Sequence, residues 1–172
     1  MNEIRPSAGE GAPGESRPSL ESLVTGWWRS LQQRRGDRAA LRRANTPTDV
    51  AFTPAFHRLA GLLREAGVQV PLEWLAVAAS ALAHVEIDES GKTLAQAMAA
   101  EKGGKARVSG MRFRRLLRVD DPEEMLVAIG RVIRLLDRGA PVARLARDLT
   151  RWNDRTKKRW ASEYYQVAPD ES

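Results

Sequence analysis

The sequence predicts an all-α protein, a compact bundle of about eight or nine helices with no sheet, in one unit or in two lobes. Apolar residues recur every three or four positions along most of the chain after residue 18, which is the spacing of amphipathic helices. No segment alternates apolar and polar residues convincingly, and no Asn-Gly or Asp-Gly pair marks a hairpin. A chain of 172 residues is long enough to bury a core of ordinary size.

The two ends of the chain differ in composition from the rest. Residues 1–18 are rich in Gly, Pro, Ser and Glu and have almost nothing to bury, so they predict a disordered tail, and residues 169–172 predict a short disordered end. Between them we expect an N-terminal helical lobe over residues 19–102 and a basic C-terminal helical lobe over residues 103–168.

The first helix is predicted from Leu20 to about Leu31, where apolar residues recur at helical spacing. It places two adjacent tryptophans on the apolar side. All five tryptophans of the chain follow the apolar pattern, so we expect core positions for them rather than base stacking: Trp27, Trp28, Trp74, Trp152 and Trp160.

A short second helix is predicted up to Arg43. Gly36 is expected to break the first helix, and Asp37 is expected to cap the second. Residues 45–52 predict a loop. Thr53-Pro54 then gives an N-cap followed by proline, which predicts a helix to about Glu65, ended by Gly67.

The middle of the chain predicts a buried central helix. Residues 72–85 follow Pro71 and are rich in alanine and other apolar residues. Residues 94–100 predict a small helix, and Gly103-Gly104 predicts a flexible joint after it.

The run from Val108 to Arg118 carries four arginines in a short helical pattern. With Ser109 as N-cap, its apolar residues fall on one side, Arg114, Arg115 and Arg118 fall on the other, and Arg112 falls at the boundary. Guanidinium groups are always charged and offer forked donors that match phosphate oxygens. This helix therefore predicts a polyanion contact, with an ordinary solvated surface as the alternative.

Two further helices repeat a basic face. Asp121-Pro122 predicts the start of a helix whose apolar face is Met125, Ile129, Val132, Ile133 and Leu136. Its other face carries Arg131, Arg134 and Arg138. After Gly139 and Pro141 a helix follows with Arg144, Arg147 and Arg151 on its polar face, and a last helix carries Lys157, Lys158 and Arg159.

Few residues offer catalytic or cofactor chemistry. The chain has no cysteine, which excludes disulfides and cysteine-ligated zinc. His57 has no partner at metal-ligand spacing, and residues 84–88 lack a second histidine, so we interpret them as a helix end that turns into an acidic loop. Gly103-Gly104 follows no strand, which argues against a phosphate-binding loop. We expect no enzymatic activity, no cofactor and no metal.

No apolar stretch reaches the roughly 18 residues that a membrane span needs, and the N-terminus has no apolar signal core, so we expect a cytoplasmic protein with no membrane partner. The formal net charge is +6, and all but five of the 28 basic residues are arginines. Nucleic-acid binding is the leading hypothesis. A helix-turn-helix regulator and a purely structural adaptor are the alternatives, although the arginine helix has no neighbouring Asn or Gln that could contact adenine.

Several blocks of the sequence resemble the CasB-type small subunit of the type I-E CRISPR surveillance complex, Cascade. The resemblance covers about residues 20–167. It is carried by these blocks, in this order: Gly26-Trp27-Trp28, Arg35–Arg38, Leu41-Arg42-Arg43, Pro54–Leu59, Val108–Leu117, Asp148–Trp152 and Arg159–Tyr165.

The resemblance implies an all-helical, non-enzymatic subunit present in two head-to-tail copies. Its expected partners are the guide RNA, the target and non-target DNA strands, a CasC-type backbone, a CasA-type large subunit and a second copy of itself. Its expected role is to stabilise the guide RNA–target DNA duplex and the displaced strand of the R-loop. The basic positions that it implies for nucleic acid are Arg43, Arg112, Arg118, Lys157 and Lys158. The arginine stripes add Arg42, Arg131 and Arg134.

Overall fold

The computed structural model describes residues 16–170 and folds most of them into helices. The predicted all-α fold class is confirmed. Within this range there are ten helices: α1 Leu20–Gln32, α2 Arg35–Arg43, α3 Pro47–Ala51, α4 Pro54–Glu65, α5 Leu72–Ala83, α6 Leu94–Ala99, α7 Gly110–Leu117, α8 Pro122–Leu135, α9 Val142–Thr150 and α10 Asp154–Tyr165. Residues 1–15 and 171–172, which hold most of the predicted disordered tail and half of the predicted disordered end, lie outside the described residues.

Helix α5 is the central helix, as predicted. Residues 75–83 are buried without interruption, because α2, α3, α8 and α9 pack around them. Helix α1 packs mainly on α9, with Trp27 and Trp28 both buried. The buried side chains of the two predicted lobes form one hydrophobic cluster. A division into lobes at residue 102 stays a prediction.

The helix caps predicted at Thr53, Ser109 and Asp121 are confirmed. Each of these side chains accepts a hydrogen bond from the backbone N–H three residues later, and Ser19 caps α1 in the same way. Each cap satisfies a donor that the first helical turn would leave unpaired. The start of the arginine helix α7 is therefore set by its own sequence.

The predicted start of the second helix, with Asp37 as its cap, was wrong. Helix α1 ends at Gln32, close to its expected end, but α2 already begins at Arg35, so Gly36 and Asp37 lie inside the first turn of α2. The Asp37 carboxylate makes no cap and pairs with the Arg58 guanidinium of α4. A tertiary ion pair has replaced the local capping contact that the sequence pattern favours.

The predicted loop at residues 45–52 contains helix α3. Thr46 accepts a hydrogen bond from the Asp49 N–H, and the Asp49 side chain accepts one from the Thr46 N–H, which is a complete capping box. Pro47 occupies the first helical position, where its missing N–H has no cost. The helix ends at Ala51, and the Phe52 side chain that follows is exposed.

The expectation of no strands needs a correction on a small scale. Two pairs of two-residue strands occur in residues 16–170: β1 Ile87–Asp88 parallel to β4 Gly139–Ala140, and β2 Glu101–Lys102 antiparallel to β3 Lys105–Ala106. Gly103 and Gly104 form the tight turn between β2 and β3, with φ of 64° and 80°. They act as a hairpin turn rather than as a flexible joint, because both positions need the left-handed conformation that glycine adopts readily.

The α8–β4 turn removes Arg138 from the helix face predicted for it. Helix α8 ends at Leu135, and Asp137 and Arg138 both adopt left-handed backbone conformations, with φ of 55° and 63°. The Arg138 carbonyl accepts hydrogen bonds from the N–H groups of Glu86 and Ile87, at 2.8 and 3.2 Å. The turn therefore brings Arg138 against the end of α5 instead of beside Arg131 and Arg134.

Candidate nucleic-acid interface

A groove of about 1060 Å³ runs between α7 and α8 and touches the residues before α3. Buried apolar side chains line its base, among them Val108, Leu116 and Val132. Asn45 and Thr46 contribute to its edge. The groove is open to solvent along a line of charged side chains.

Four arginines line this groove. Arg112 and Arg115 come from α7, and Arg131 and Arg134 come from α8. All four are exposed, and within residues 16–170 none of their side chains makes an ion pair. The structure thus brings together three of the predicted residues. It adds Arg115, which the arginine pattern placed on the polar side of its helix three residues after Arg112.

The other end of the groove is acidic. Asp121, Glu123 and Glu124 line it at the start of α8. Negative charge is favoured there because the N-terminus of a helix carries a partial positive charge. Helices α7 and α8 are joined by residues 118–121, so the acidic end lies at this link and α8 carries its arginines towards its far end.

Arg118, Lys157 and Lys158 lie outside the groove lining. Arg118 is the C-cap residue of α7, and both Arg118 and Lys158 are exposed. Lys157 differs, since its ammonium pairs with the Asp120 carboxylate and lies 5.8 Å from the centroid of the Trp152 ring. Only 15% of its side chain is exposed, so Lys157 already has internal partners.

Arg42 and Arg43 are separated by the fold. Arg43 is exposed at the end of α2, two residues before the edge of the groove at Asn45. Arg42 is turned towards the end of α5 instead: its Nε donates to the Ala83 carbonyl at 2.7 Å, and its Nη2 donates to Glu86 Oε1 at 3.2 Å.

Arg42 belongs to a second group of charges, which we call the Glu86 cluster: Arg38, Arg42, Glu86 and Arg138. Oxygen Oε1 of Glu86 lies 3.4 Å from Arg38 Nη2, 3.2 Å from Arg42 Nη2 and 3.8 Å from Arg138 Nε. One carboxylate thus faces three guanidinium groups. Burial and the nearby Arg42 charge lower the pKa of Arg38, and the Glu86 charge opposes this effect.

His84 lies beside this cluster as the C-cap residue of α5. It is 8% exposed. Its pKa is lowered to about 4, first by burial and then by the charges of Arg134, Arg42, Arg138 and Arg38. Its ring is therefore neutral at pH 7.

His57, the other histidine of the chain, contacts a neighbouring part of the backbone. Nitrogen Nε2 of His57 lies 2.7 Å from the Ala51 carbonyl oxygen at an exposed position. Within residues 16–170, no group of three or more His, Asp or Glu side chains could hold a metal ion. No helix in that range is long and apolar enough to cross a membrane.

Comparison with known proteins assigns the chain to a family. The model of the CRISPR-associated protein Cse2 family matches residues 37–165, which is most of the chain and includes α7, α8 and nearly all of α2. The chain belongs to the Cse2 family. The resemblance to the CasB-type small subunit of type I-E systems is thereby confirmed. No curated protein sequence matches this Cse2 family member.

Solved structures share its fold. A chain of E. coli Cascade bound to a PAM-containing double-stranded DNA target is 22% identical, with a TM-score of 0.66 over 84% of this chain and 95% of that one. CasB from Thermus thermophilus is 26% identical, with a TM-score of 0.62 over 86% of this chain and 97% of that one. The Cse2 fold therefore extends over nearly the full length of both relatives.

Proposed function

We propose that this Cse2 family member is a non-catalytic subunit of a CRISPR RNA-guided Cascade complex that binds nucleic-acid backbones without reading their sequence. The observation that carries the proposal is the set of four exposed arginines that line one groove from two neighbouring helices. Contacts between arginine and phosphate position a strand and carry no sequence information. This is the property that a subunit in contact with many different targets requires.

The proposed role is to stabilise the R-loop, meaning the guide RNA–target DNA duplex and the displaced strand. Strand exchange in RNA-guided complexes is nearly balanced in free energy, so protein contacts to strand backbones favour the open state. A structural relative of this chain is part of E. coli Cascade bound to double-stranded DNA, which supports the context. The proposed partners are the guide RNA, the two DNA strands, the CasC-type and CasA-type subunits and a second copy of this chain.

The charge distribution of the groove suggests where a strand lies. Phosphates are attracted to Arg112, Arg131 and Arg134 and repelled by Glu123 and Glu124. We therefore expect the strand to cross the basic end of the groove rather than to follow its full length, with Arg43 available to a strand that leaves the groove at the edge formed by Asn45. Arg118 and Lys158 would contact a strand only outside the groove, and Lys157 would first have to leave Asp120.

A structural adaptor is the second candidate, and exposed apolar side chains favour it. Val127 and Leu135 line the groove, and Met111 lies in α7 outside the groove lining. The side chains of all three are exposed. In an adaptor, the groove arginines would bind acidic surfaces of protein neighbours. The two candidates differ in what fails first when the arginines are removed.

The double variant Arg112→Gln/Arg131→Gln separates these candidates. Its matched control is Arg29→Gln/Arg64→Gln, which removes two exposed arginines from α1 and α4. Binding of labelled single-stranded DNA and of an RNA–DNA duplex would be measured over a range of salt concentrations. Each phosphate contact contributes about 0.7 to 0.9 to the slope of log K against log salt, so the groove variant should lose about 1.4 to 1.8.

Assembly gives the second readout. Under the proposed function, the groove variant still co-purifies with the guide RNA and the other subunits, but the complex binds target DNA more weakly. Loss of co-purification with an unchanged salt slope would instead favour the adaptor. A salt slope equal to that of the control would overturn the proposed function.

A further inference from the structure

The Glu86 cluster holds more positive charge than its own residues neutralise. Three guanidinium groups surround one carboxylate, and each lies within 4.0 Å of the same oxygen atom. A fourth positive charge, on Arg134, adds to the surplus, since it acts on the His84 ring together with the cluster arginines. An anion entering this region would meet an attractive field.

Contacts other than the Glu86 carboxylate also hold the cluster arginines. Nitrogen Nε of Arg38 and Nε of Arg42 both donate to the Ala83 carbonyl, at 3.3 and 2.7 Å, at the C-terminus of α5. The partial negative charge of that helix end favours cations there. Arg138 is fixed through its backbone, whose carbonyl accepts from the Glu86 N–H at 2.8 Å. The guanidinium groups of Arg38 and Arg42 therefore stay together if the carboxylate moves, and the backbone of Arg138 stays beside them.

Three buried nitrogens in this region have no hydrogen-bond partner within the described residues. They are Nη2 of Arg38, Nη1 of Arg138 and Nδ1 of His84. Arg38 Nη2 and Glu86 Oε1 lie 3.4 Å apart and form an ion pair, but their geometry is not that of a hydrogen bond. Buried donors are rarely left unpaired in folded proteins. A carboxylate has two oxygens, whereas a phosphate offers more acceptors to the same donors.

The cluster also borders the groove. A Cβ added to Gly130 in α8 would lie 3.3 Å from His84 Nε2 and 3.7 Å from Arg134 Nη1, so these two groups flank the same glycine. Arg134 lines the basic end of the groove. A strand held at that end passes close to the Glu86 cluster. The Glu86 side chain is 49% exposed, so it can turn away into solvent.

We propose that the Glu86 cluster is a phosphate site for the bound nucleic acid, and that the Glu86 carboxylate occupies it internally until a backbone phosphodiester displaces it. This inference rests on the proposed function. The displaced ion pairs are partly exposed, and such pairs contribute little to stability. Glu86 therefore lowers the affinity for nucleic acid without blocking the site.

The test is Glu86→Gln in the full chain, which removes the competing charge and keeps the shape of the side chain. The control is Glu73→Gln, the same charge change on an exposed residue in the first turn of α5, about 15 Å along the helix from Ala83. We expect Glu86→Gln to bind a labelled single-stranded oligonucleotide several-fold more tightly than the control at low salt. Its salt slope should be steeper by about 0.7, one phosphate contact.

Adding Arg42→Gln to Glu86→Gln should return both values towards those of the control. Thermal unfolding of each variant verifies that it is folded. Equal affinity and equal slope for Glu86→Gln and Glu73→Gln would overturn this inference and leave the proposed function standing, provided that the unmodified chain binds with a salt-dependent affinity. Absence of any salt-dependent binding would overturn both.

The probes distinguish the sources of the anion. Titration with inorganic phosphate, followed by the NMR signals of the arginine Nε–H groups, reports on the free ion. If these signals respond in Glu86→Gln while oligonucleotide affinity matches the control, the cluster accepts only free phosphate and the nucleic-acid assignment is overturned. A gain for polyglutamate without a gain for the oligonucleotide would overturn it in favour of an acidic protein partner.

Discussion

The ring of Tyr164 in α10 stacks on the ring of Phe113 in α7, with centroids 4.0 Å apart and planes 7° from parallel. Both rings are buried. The Tyr164 hydroxyl also donates to the Val108 carbonyl at 2.7 Å, just before the N-cap of α7. The last helix thus fixes the position of the helix that carries Arg112 and Arg115.

This contact predicts a graded effect of substitutions at Tyr164. Tyr164→Phe removes one buried hydrogen bond and should lower the free energy of unfolding by about 1 kcal/mol. Tyr164→Ala also removes the stacked ring and should cost about 3 to 5 kcal/mol. Urea unfolding measures both values. The control is Tyr165→Phe at the exposed neighbouring ring, for which we expect a change within about 0.5 kcal/mol. Equal effects at the two tyrosines would contradict the prediction.

The contacts of Asp148 in α9 predict that removing its carboxylate strongly lowers the free energy of unfolding. It is 5% exposed, accepts a hydrogen bond from Trp160 Nε1 at 2.8 Å and pairs with the Arg159 guanidinium. Asp148→Ala leaves the buried Trp160 N–H without its acceptor and removes one of the two carboxylates that pair with Arg159, the other being Glu163, and should cost about 3 kcal/mol in urea unfolding. The control is Asp120→Ala, which removes a carboxylate that is itself exposed from its pair with Lys157 and should cost about 1 kcal/mol or less. A small effect at Asp148 would show that water replaces the carboxylate easily.

The long helices could be predicted from the sequence because their information is local. The caps at Ser109 and Asp121 and the apolar spacing that follows them specify α7 and α8 without reference to the rest of the chain. Helix α3 was missed because five residues are too few for an apolar period, although the Thr46–Asp49 pair is a capping-box signal. The strands were missed because two residues cannot show an alternation.

The candidate site could be predicted only in part. Basic stripes placed Arg112 on one helix and Arg131 and Arg134 on the next, but the groove between them exists only once α7 and α8 pack together. The Glu86 cluster could not be predicted from the sequence pattern, since Arg38, Glu86 and Arg138 are far apart along the chain. Arg138 was assigned to the wrong face because nothing local indicated that Asp137 would leave the helix with positive φ.

The surroundings of Gly130 and Gly26 predict that replacement by alanine has opposite effects on stability at the two positions. Alanine is favoured over glycine in a helix by about 1 kcal/mol. At Gly26 in α1 a Cβ meets nothing within 4 Å, so Gly26→Ala should stabilise the protein by about that amount. At Gly130 the Cβ would crowd the buried His84 ring, 3.3 Å from Nε2 and 3.4 Å from Cδ2. Gly130→Ala should therefore give a net loss of stability, by about 1 kcal/mol. Thermal unfolding measures both; stabilisation at Gly130 would show that the ring shifts freely.

His84 predicts a loss of stability in mild acid. Burial and four surrounding arginines lower its folded pKa from 6.5 to about 4, so the unfolded chain takes up a proton that the folded protein does not. The neutral ring therefore contributes its full stability above about pH 6.5, and this contribution falls by up to about 3 kcal/mol as the pH falls towards 4.

The measurement is the free energy of unfolding in urea at several pH values between 7 and 5, for the unmodified chain and for His84→Gln. We expect the unmodified chain to lose up to about 1.4 kcal/mol more per pH unit than the variant in the lower part of this range, the slope for one additional proton bound by the unfolded state. Glutamine fills the site with a polar group that does not titrate, so background titrations of carboxylates appear equally in both proteins and cancel in the difference. Parallel pH profiles would mean that the His84 ring gains a proton as readily in the folded protein as in the unfolded chain, and that the surrounding arginines do not hold it neutral.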